Sequence, residues 1–267
     1  MNNYHLYDPV GRGEASVVYK ARRKRSCDYV AVRRVARERK PEVLREVKLL
    51  LAVGAHAHVL AFHAWFETSR HLWLVLDYCV GGALAGVLAA DGRVAGPAAA
   101  GLARGVAAAL QHVHAAGYLH RALDSAAVLL DHGGGARLAG FKHSARFPEA
   151  GAASEATPPR GPRGAPELLR GAPHSTAADL WALGALIHYC VAGQPPPSAP
   201  PPAGLPSALA PAGEALAALA ARLLEPDPAK RAGWEEVRAH AAWGDAPLDA
   251  LTIPPEPAFE AWLRARG

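Results

Sequence analysis

Tyr118-Leu-His-Arg-Ala-Leu-Asp-Ser-Ala-Ala-Val-Leu-Leu130 is the stretch on which the reading of this chain turns. It carries a His120-Arg121 pair and closes on three apolar residues, Val128, Leu129 and Leu130. Immediately before it, Ala98 to Ala116 has Leu102, Val106, Leu110 and Val113 at spacings of four and three. That pattern predicts a long amphipathic helix, and Gly117 supplies its stop. Immediately after it, Gly133 to Gly135 predicts a turn. Ala136-Arg-Leu-Ala-Gly140-Phe141-Lys142 then follows.

The chain has 267 residues, room for one large domain or for two lobes around a cleft. Apolar residues make up 51%, enough for a sizeable core. The formal net charge of +5 favours acidic partners. Cys27, Cys79 and Cys190 show neither metal nor disulfide spacing, which suits a reducing compartment. The opening residues are polar and aromatic, so no signal peptide is expected. No run approaches the ~18 apolar residues of a membrane span. Basic residues cluster on one turn and strand without a nucleic-acid recognition motif, so no nucleic-acid partner is expected.

Working outward to the N-terminus, Tyr4 to Val10 predicts a strand, followed by Gly11-Arg-Gly13-Glu-Ala-Ser16-Val-Val18. By itself that glycine pattern also fits an ordinary hairpin turn. Arg22 to Arg25 predicts a charged turn, and Tyr29-Val-Ala-Val-Arg33-Arg34-Val35 another strand. Pro41 to Leu51 has helical spacing at Val43, Leu44, Val47 and Leu50, with the proline suited to a first turn. Val59 to Phe66 and Leu72 to Tyr78 predict two further strands, and Trp73-Leu-Val-Leu-Asp77-Tyr78-Cys79-Val-Gly-Gly82 leads out of the second.

Toward the C-terminus, Phe147 to Gly164 is rich in glycine and proline and predicts a mobile loop. Ala165-Pro-Glu167, Asp179-Leu-Trp181-Ala-Leu-Gly184 and Asp227-Pro-Ala-Lys-Arg231 follow. Eight prolines between Pro195 and Pro211 exclude a continuous helix there. Glu214 to Leu224 and Trp234 to Ala242 predict the last helices. In the tail, Phe259, Trp262 and Leu263 are isolated apolar anchors, expected to pack back on the lobe.

Together these stretches resemble a eukaryotic-type serine/threonine protein kinase over about residues 4 to 243. The resemblance implies an α+β, bilobal fold: a β-rich N-lobe with helix C (1–80), a mainly helical C-lobe (81–243) and a tail (244–267). Gly11 and Gly13 fall on the glycine-rich loop over ATP phosphates, with Ser16 in place of the third glycine. Arg33 falls on the strand lysine and Glu46 on the helix-C glutamate, so the two are expected to pair. Leu76 falls on the gatekeeper and Asp77 to Cys79 on the hinge. Val18, Ala31 and Leu129 fall on the positions that sandwich adenine. Leu50, Phe62, His120 and Phe141 form the family's internal stack above Asp179. Glu167 and Arg231 fall on an ion pair of the C-lobe.

The reactive positions depart from the family. The base aspartate is Ala122, the magnesium-binding asparagine is Ala127 and the magnesium-binding aspartate is Gly140. Asp124 and Asp131, nearby, read as turn or surface charges. The resemblance therefore implies no catalytic residue and no metal site, that is, a pseudokinase acting as an interaction or scaffold module. The wording of Tyr4-His-Leu-Tyr, His63-Ala-Trp-Phe-Glu-Thr-Ser and the hinge resembles the Fused and Unc-51-like branch, and within it the plant RUNKEL-type pseudokinases. Those relatives carry this domain at the N-terminus of long helical-repeat proteins and act with microtubules, cytokinesis or cilia. The resemblance so implies a cytoplasmic place and a protein partner, microtubules or another acidic protein. The chain stops soon after the kinase-like region, as a fragment or a short gene would.

Two other readings stay open. One is a weak kinase with a metal-free site, in which Lys142 touches phosphate in place of magnesium. The other is a switch that binds ATP without magnesium and without turnover. The stretch from Lys20 to Lys40 holds ten Lys and Arg residues against Asp28 and Glu38. Its turn, Arg22 to Arg25, is expected to face water, either as a solvated face or as the contact for an acidic partner.

Overall fold

The computed structural model describes residues 3–13, 15–94, 96–147, 164–194, 213–244, 248 and 251–253. Most of the loop after Phe147, the proline segment from Pro195 and the anchors Phe259, Trp262 and Leu263 lie outside the described residues.

The N-lobe is a five-stranded antiparallel sheet, in the order β1 (Tyr4–Gly13), β2 (Ser16–Arg23), β3 (Tyr29–Ala36), β5 (His71–Asp77), β4 (Phe62–Glu67). Of its valines, Val30, Val32, Val35 and Val75 are buried, as β-branched side chains on a pleated surface favour. Helix α1 (Lys40–Val53) starts with Pro41 in its first turn and ends at Gly54, whose φ of 72° is open to glycine at little cost. It buries Val43, Val47, Leu50 and Val53 against the sheet and the C-lobe, and Glu46 with them.

The C-lobe is mainly helical, with α2 (Leu84–Asp91), α3 (Gly96–Ala115), α4 (Pro166–Leu169), α5 (Thr176–Ala192), α6 (Glu214–Leu223) and α7 (Trp234–Arg238). Val106, Leu110 and Val113 of α3 are fully buried, the stripe that the spacing predicted. Helices α5 and α6 come very close at Gly184, where a Cβ would stand 2.7 Å from the Leu223 Cβ. Short ribbons join the lobes: β6 (Gly82–Ala83), β8 (Val128–Leu130) and β9 (Ala136–Leu138) form one, and β7 (Tyr118–Leu119) pairs with β10 (Ala145–Arg146). The protein therefore has the expected α+β kinase architecture.

Three local expectations are corrected. The strand expected from Val59 starts at Phe62, because the backbone just before it bonds β9 instead. Leu60 N–H donates to the Leu138 carbonyl (2.9 Å), and Leu138 N–H to that of His58 (2.7 Å). The helix expected to run from Trp234 to Ala242 ends at Arg238, since His240 is extended (ψ 137°) and its ring accepts from Ala242 N–H (3.1 Å). The turn residues do not all face water: Arg22 and Arg23 belong to β2 and are half-buried, and only Lys24 and Arg25 are exposed.

The C-lobe is clamped by a buried ion pair. Arg231 donates to both oxygens of Glu167 (2.6 and 2.8 Å), to the Ala177 carbonyl (2.7 Å) and, through Nε, to the Glu225 carbonyl (2.9 Å). Its guanidinium also lies 5.0 Å from the centre of the Trp181 ring. Removing one partner of such a pair strands the other charge in the interior. Glu167→Ala is expected to destabilise the domain by about 3–5 kcal/mol in denaturant melts. An unchanged midpoint would mean that Arg231 reaches water.

Candidate functional site

A cleft of about 460 Å³ lies between the sheet and the C-lobe. Strand alternation aims Val18 and Ala31 at it from above, Leu129 rises from β8 below, and Leu76 closes the back. Asp77, Tyr78 and Cys79 form the connecting edge, and Gly11 lies at the mouth. Arg33, Gly140 and Phe141 line its inner end. The expected adenine-slot residues are thus brought together. Gly13 is not among them: it lines smaller hollows farther along the β1–β2 hairpin. Val10, Leu60, Val80, Ala126 and Ala139 also line the cleft and were not anticipated. Burial, with the Asp77 charge beside it, pushes the Cys79 thiol up to about 11, so it stays neutral.

At the inner end, Arg33 pairs with the buried Glu46, which ties β3 to α1. The Nε of Arg33 finds no partner among the described residues. Gly140 has φ 80°, in the left-handed region, and a Cβ there would meet the Ala127 methyl at 3.2 Å. Neither position offers a donor atom for a metal. The two other carboxylates of interest serve turns. Asp124 Oδ1 accepts from the N–H groups of Ala126 and Ala127 (both 2.9 Å), and Asp131 Oδ1 from those of Gly133 (2.9 Å) and Gly135 (2.8 Å). Asp77 is held at the connecting edge by His63 (2.7 Å). Among the described residues no group of three His, Cys, Asp or Glu side chains could hold a metal ion. The exposed Lys142 lines an adjacent hollow with Arg33, Arg39, Glu42 and Glu46.

Beneath the cleft the loop of residues 120–127 hangs on Asp179, the first-turn carboxylate of α5. Asp179 accepts from the backbone N–H groups of His120 and Arg121 (both 2.8 Å), from His114 Nε2 (2.9 Å) and from His174 Nε2 (3.2 Å). Burial alone would raise this carboxyl, but the hydrogen bonds from His114 and His174 outweigh it and hold it well below the usual range. Trp234 Nε1 donates to His114 Nδ1 (2.9 Å), so His114 is neutral with its proton on Nε2. His120 Nε2 donates to the Ala139 carbonyl (2.8 Å), and its ring meets Phe141 edge-on at 5.1 Å. Leu50 is buried in the same core, with Phe62 packed against it. Arg121 is buried with φ 68°, and its Nε and Nη1 find no partner among the described residues. Sequence reasoning missed His114, His174 and Trp234. Only the first left a trace, four residues after Leu110 on the apolar stripe of α3.

The description "Protein kinase domain" matches residues 4–243. The chain belongs to the protein kinase family. It is 37% identical to the serine/threonine-protein kinase RUNKEL of Arabidopsis thaliana, over 97% of this chain and 20% of that protein. It is 31% identical to the serine/threonine-protein kinase ULK4 of Mus musculus, over 92% of this chain and 22% of that one. The serine/threonine-protein kinase ATG1a of Arabidopsis thaliana is 30% identical over 73% of this chain and 32% of its own length. The chain thus spans about a fifth of the first two relatives. These likenesses agree with the expected branch. Among the described residues no helix is long and apolar enough to cross a membrane.

The burial of His120 gives this kinase domain a pH dependence of known sign. Burial lowers His120 below its ordinary value, so the folded domain keeps it neutral while the unfolded chain takes up a proton below about pH 6.5. Stability is therefore full above about pH 6.5 and declines as the pH falls below it. The melting temperature is expected to be lower at pH 5.5 than at 7.5, with a shallower fall in His120→Gln. Equal slopes for the two proteins would assign the effect to other groups.

Proposed function

We propose that this kinase domain transfers phosphate poorly or not at all and works as a protein-interaction module, a pseudokinase. The observation that carries the reading is the inner end of the cleft. Ala122, Ala127 and Gly140 stand where phosphoryl transfer needs a base and two metal ligands, and the Ala127 methyl leaves a new side chain at 140 only 3.2 Å of room. Loss of a general base costs ~10² to 10⁴ in rate. Loss of the metal ligands leaves phosphate charge unscreened, a further cost that does not simply add. The Glu167–Arg231, Arg33–Glu46 and Asp179 contacts meanwhile keep the body in kinase shape. Purified protein is expected to move no more radiolabelled phosphate to itself or to a generic substrate than Ala31→Phe, which fills the adenine slot. Transfer clearly above that control would overturn the proposal.

A second reading, a nucleotide-responsive switch or weak kinase, is favoured by the apolar slot itself. Val18, Ala31 and Leu129 suit a flat aromatic base, whereas the donor set at 127 and 140 does not suit magnesium. Arg33 Nε and Lys142 are the cations left to meet phosphate. ATP is therefore expected to raise the melting midpoint equally with and without magnesium, if it raises it at all. A tenfold tightening by magnesium, about 1.4 kcal/mol, would reveal a metal site.

The partner proposed for the module is an acidic protein surface, microtubules included, which places the chain in the cytoplasm, on the cytoskeleton or at a cilium. The net charge of +5 supports this.

A further inference from the structure

The N-lobe sheet has one face against α1 and the cleft. No helix among the described residues covers the other. On that outer face Ala21, Val30, Val32 and Val75 are buried, with Tyr4, Leu6, Ala64, Phe66 and Trp73 packed against them. At the hairpin end of this face is a separate groove of about 290 Å³, which shares no residue with the cleft. Arg12, Arg34 and His71 line it, with Ser16, Val17 and Ala36 between them. Strand register builds it: Arg12 of β1 lies opposite Val17 of β2, Val17 opposite Arg34 of β3, and His71 opposite Ala36. Arg34 packs over the Tyr19 ring, 5.5 Å from its centre.

These arginines differ from their neighbours. Glu67 takes Arg37 (3.0 Å) and Lys40 (2.6 Å), and Glu42 takes Arg39 (3.2 Å). Arg12 and Arg34 make no ion pair among the described residues, and no described carboxylate lines the groove. Two guanidiniums without an ion pair among the described residues, set in a concavity, are suited to carboxylates, which they can hold through two parallel hydrogen bonds each.

We propose that this groove docks an extended acidic segment of a partner protein. The inference rests on the reading of the chain as an interaction module and gives that module a specific surface. Arg12 and Arg34 are two strands apart, about 10 Å by ordinary sheet spacing. In an extended chain of the polyproline II type, with three residues per turn and about 3.1 Å rise, carboxylates three residues apart lie on one side at about the same distance. Val17 and Ala36 offer an apolar floor between the charges. The small concave shape suits a single peptide chain better than a flat membrane or a duplex. The exposed Lys24 and Arg25, at the far end of the sheet, are not part of it.

The test uses a fluorescein-labelled synthetic peptide with glutamate at every third position, read by anisotropy at two salt concentrations. Wild type is expected to bind it, more weakly at high salt. Arg12→Glu with Arg34→Glu is expected to lose at least tenfold in affinity, whereas Lys24→Glu with Arg25→Glu binds like wild type. Because Arg34 packs on Tyr19, Arg12→Glu alone carries the comparison if the double variant melts. The proposal is overturned if wild type ignores the peptide, if the groove variants bind it normally, or if only the turn variant loses it. Binding to phosphatidylserine vesicles or single-stranded RNA in place of the peptide overturns it too. Phosphate transfer by the same preparations separates the two proposals. A chain that binds the peptide yet transfers phosphate keeps the groove and loses the pseudokinase reading; a silent chain that ignores the peptide does the reverse.

Discussion

An ionised carboxylate buried in a protein must have its lone pairs filled, or folding fails around it. Asp179 meets that constraint by gathering two backbone N–H groups from the 120–127 loop and two histidines from other parts of the chain. Trp234 extends the network to α7 by fixing the tautomer of His114. One charge thereby ties α5, α3, α7 and the loop together. Arg121 keeps a left-handed backbone (φ 68°) because both it and His120 are pinned by their N–H groups. The shape of the loop is thus a matter of backbone satisfaction, independent of the side chains at 122 and 127.

That independence lets a kinase body form around Ala122, Ala127 and Gly140, as the proposed pseudokinase reading requires. Catalytic carboxylates crowded around a metal repel one another when the metal is absent and contribute little to stability. Ala127 packs where an amide would stand, and glycine takes the left-handed conformation at 140 with little strain. The pairs that were kept, Arg33 with Glu46 and Glu167 with Arg231, are those whose loss would strand a buried charge. On the proposed reading the division follows energetics: pairs that hold each lobe in shape are present, and groups that would only hold phosphate and metal are not needed for folding.

Positive charge in the N-lobe is likewise of two kinds. Arg33, Arg37, Arg39 and Lys40 are neutralised within the lobe and serve its folding. Arg12 and Arg34 make no ion pair among the described residues, and they face outward across a groove. Counting basic residues between Lys20 and Lys40 could not separate the two kinds, because pairing depends on carboxylates such as Glu67, which lies far along the chain.

The sequence by itself determined the elements whose signal is local. Apolar spacing placed α1 and α3, Gly117 marked the end of α3, and the family resemblance put Val18, Ala31 and Leu129 around the cleft. The motif residues also foretold two ion pairs across 13 and 64 positions, because a family pattern carries long-range information that periodicity lacks. The tertiary structure alone decided the rest. It recruited His114, His174 and Trp234 to Asp179, gave residues 58–60 to β9, ended α7 at Arg238, half-buried Arg22 and Arg23, and left Gly13 outside the cleft. In each case the deciding partner is a backbone or side-chain group whose position is set by the packing of other elements. A hydrogen bond is specified by where two atoms meet, and periodicity along one strand or helix says which way a side chain points but not what it will find there.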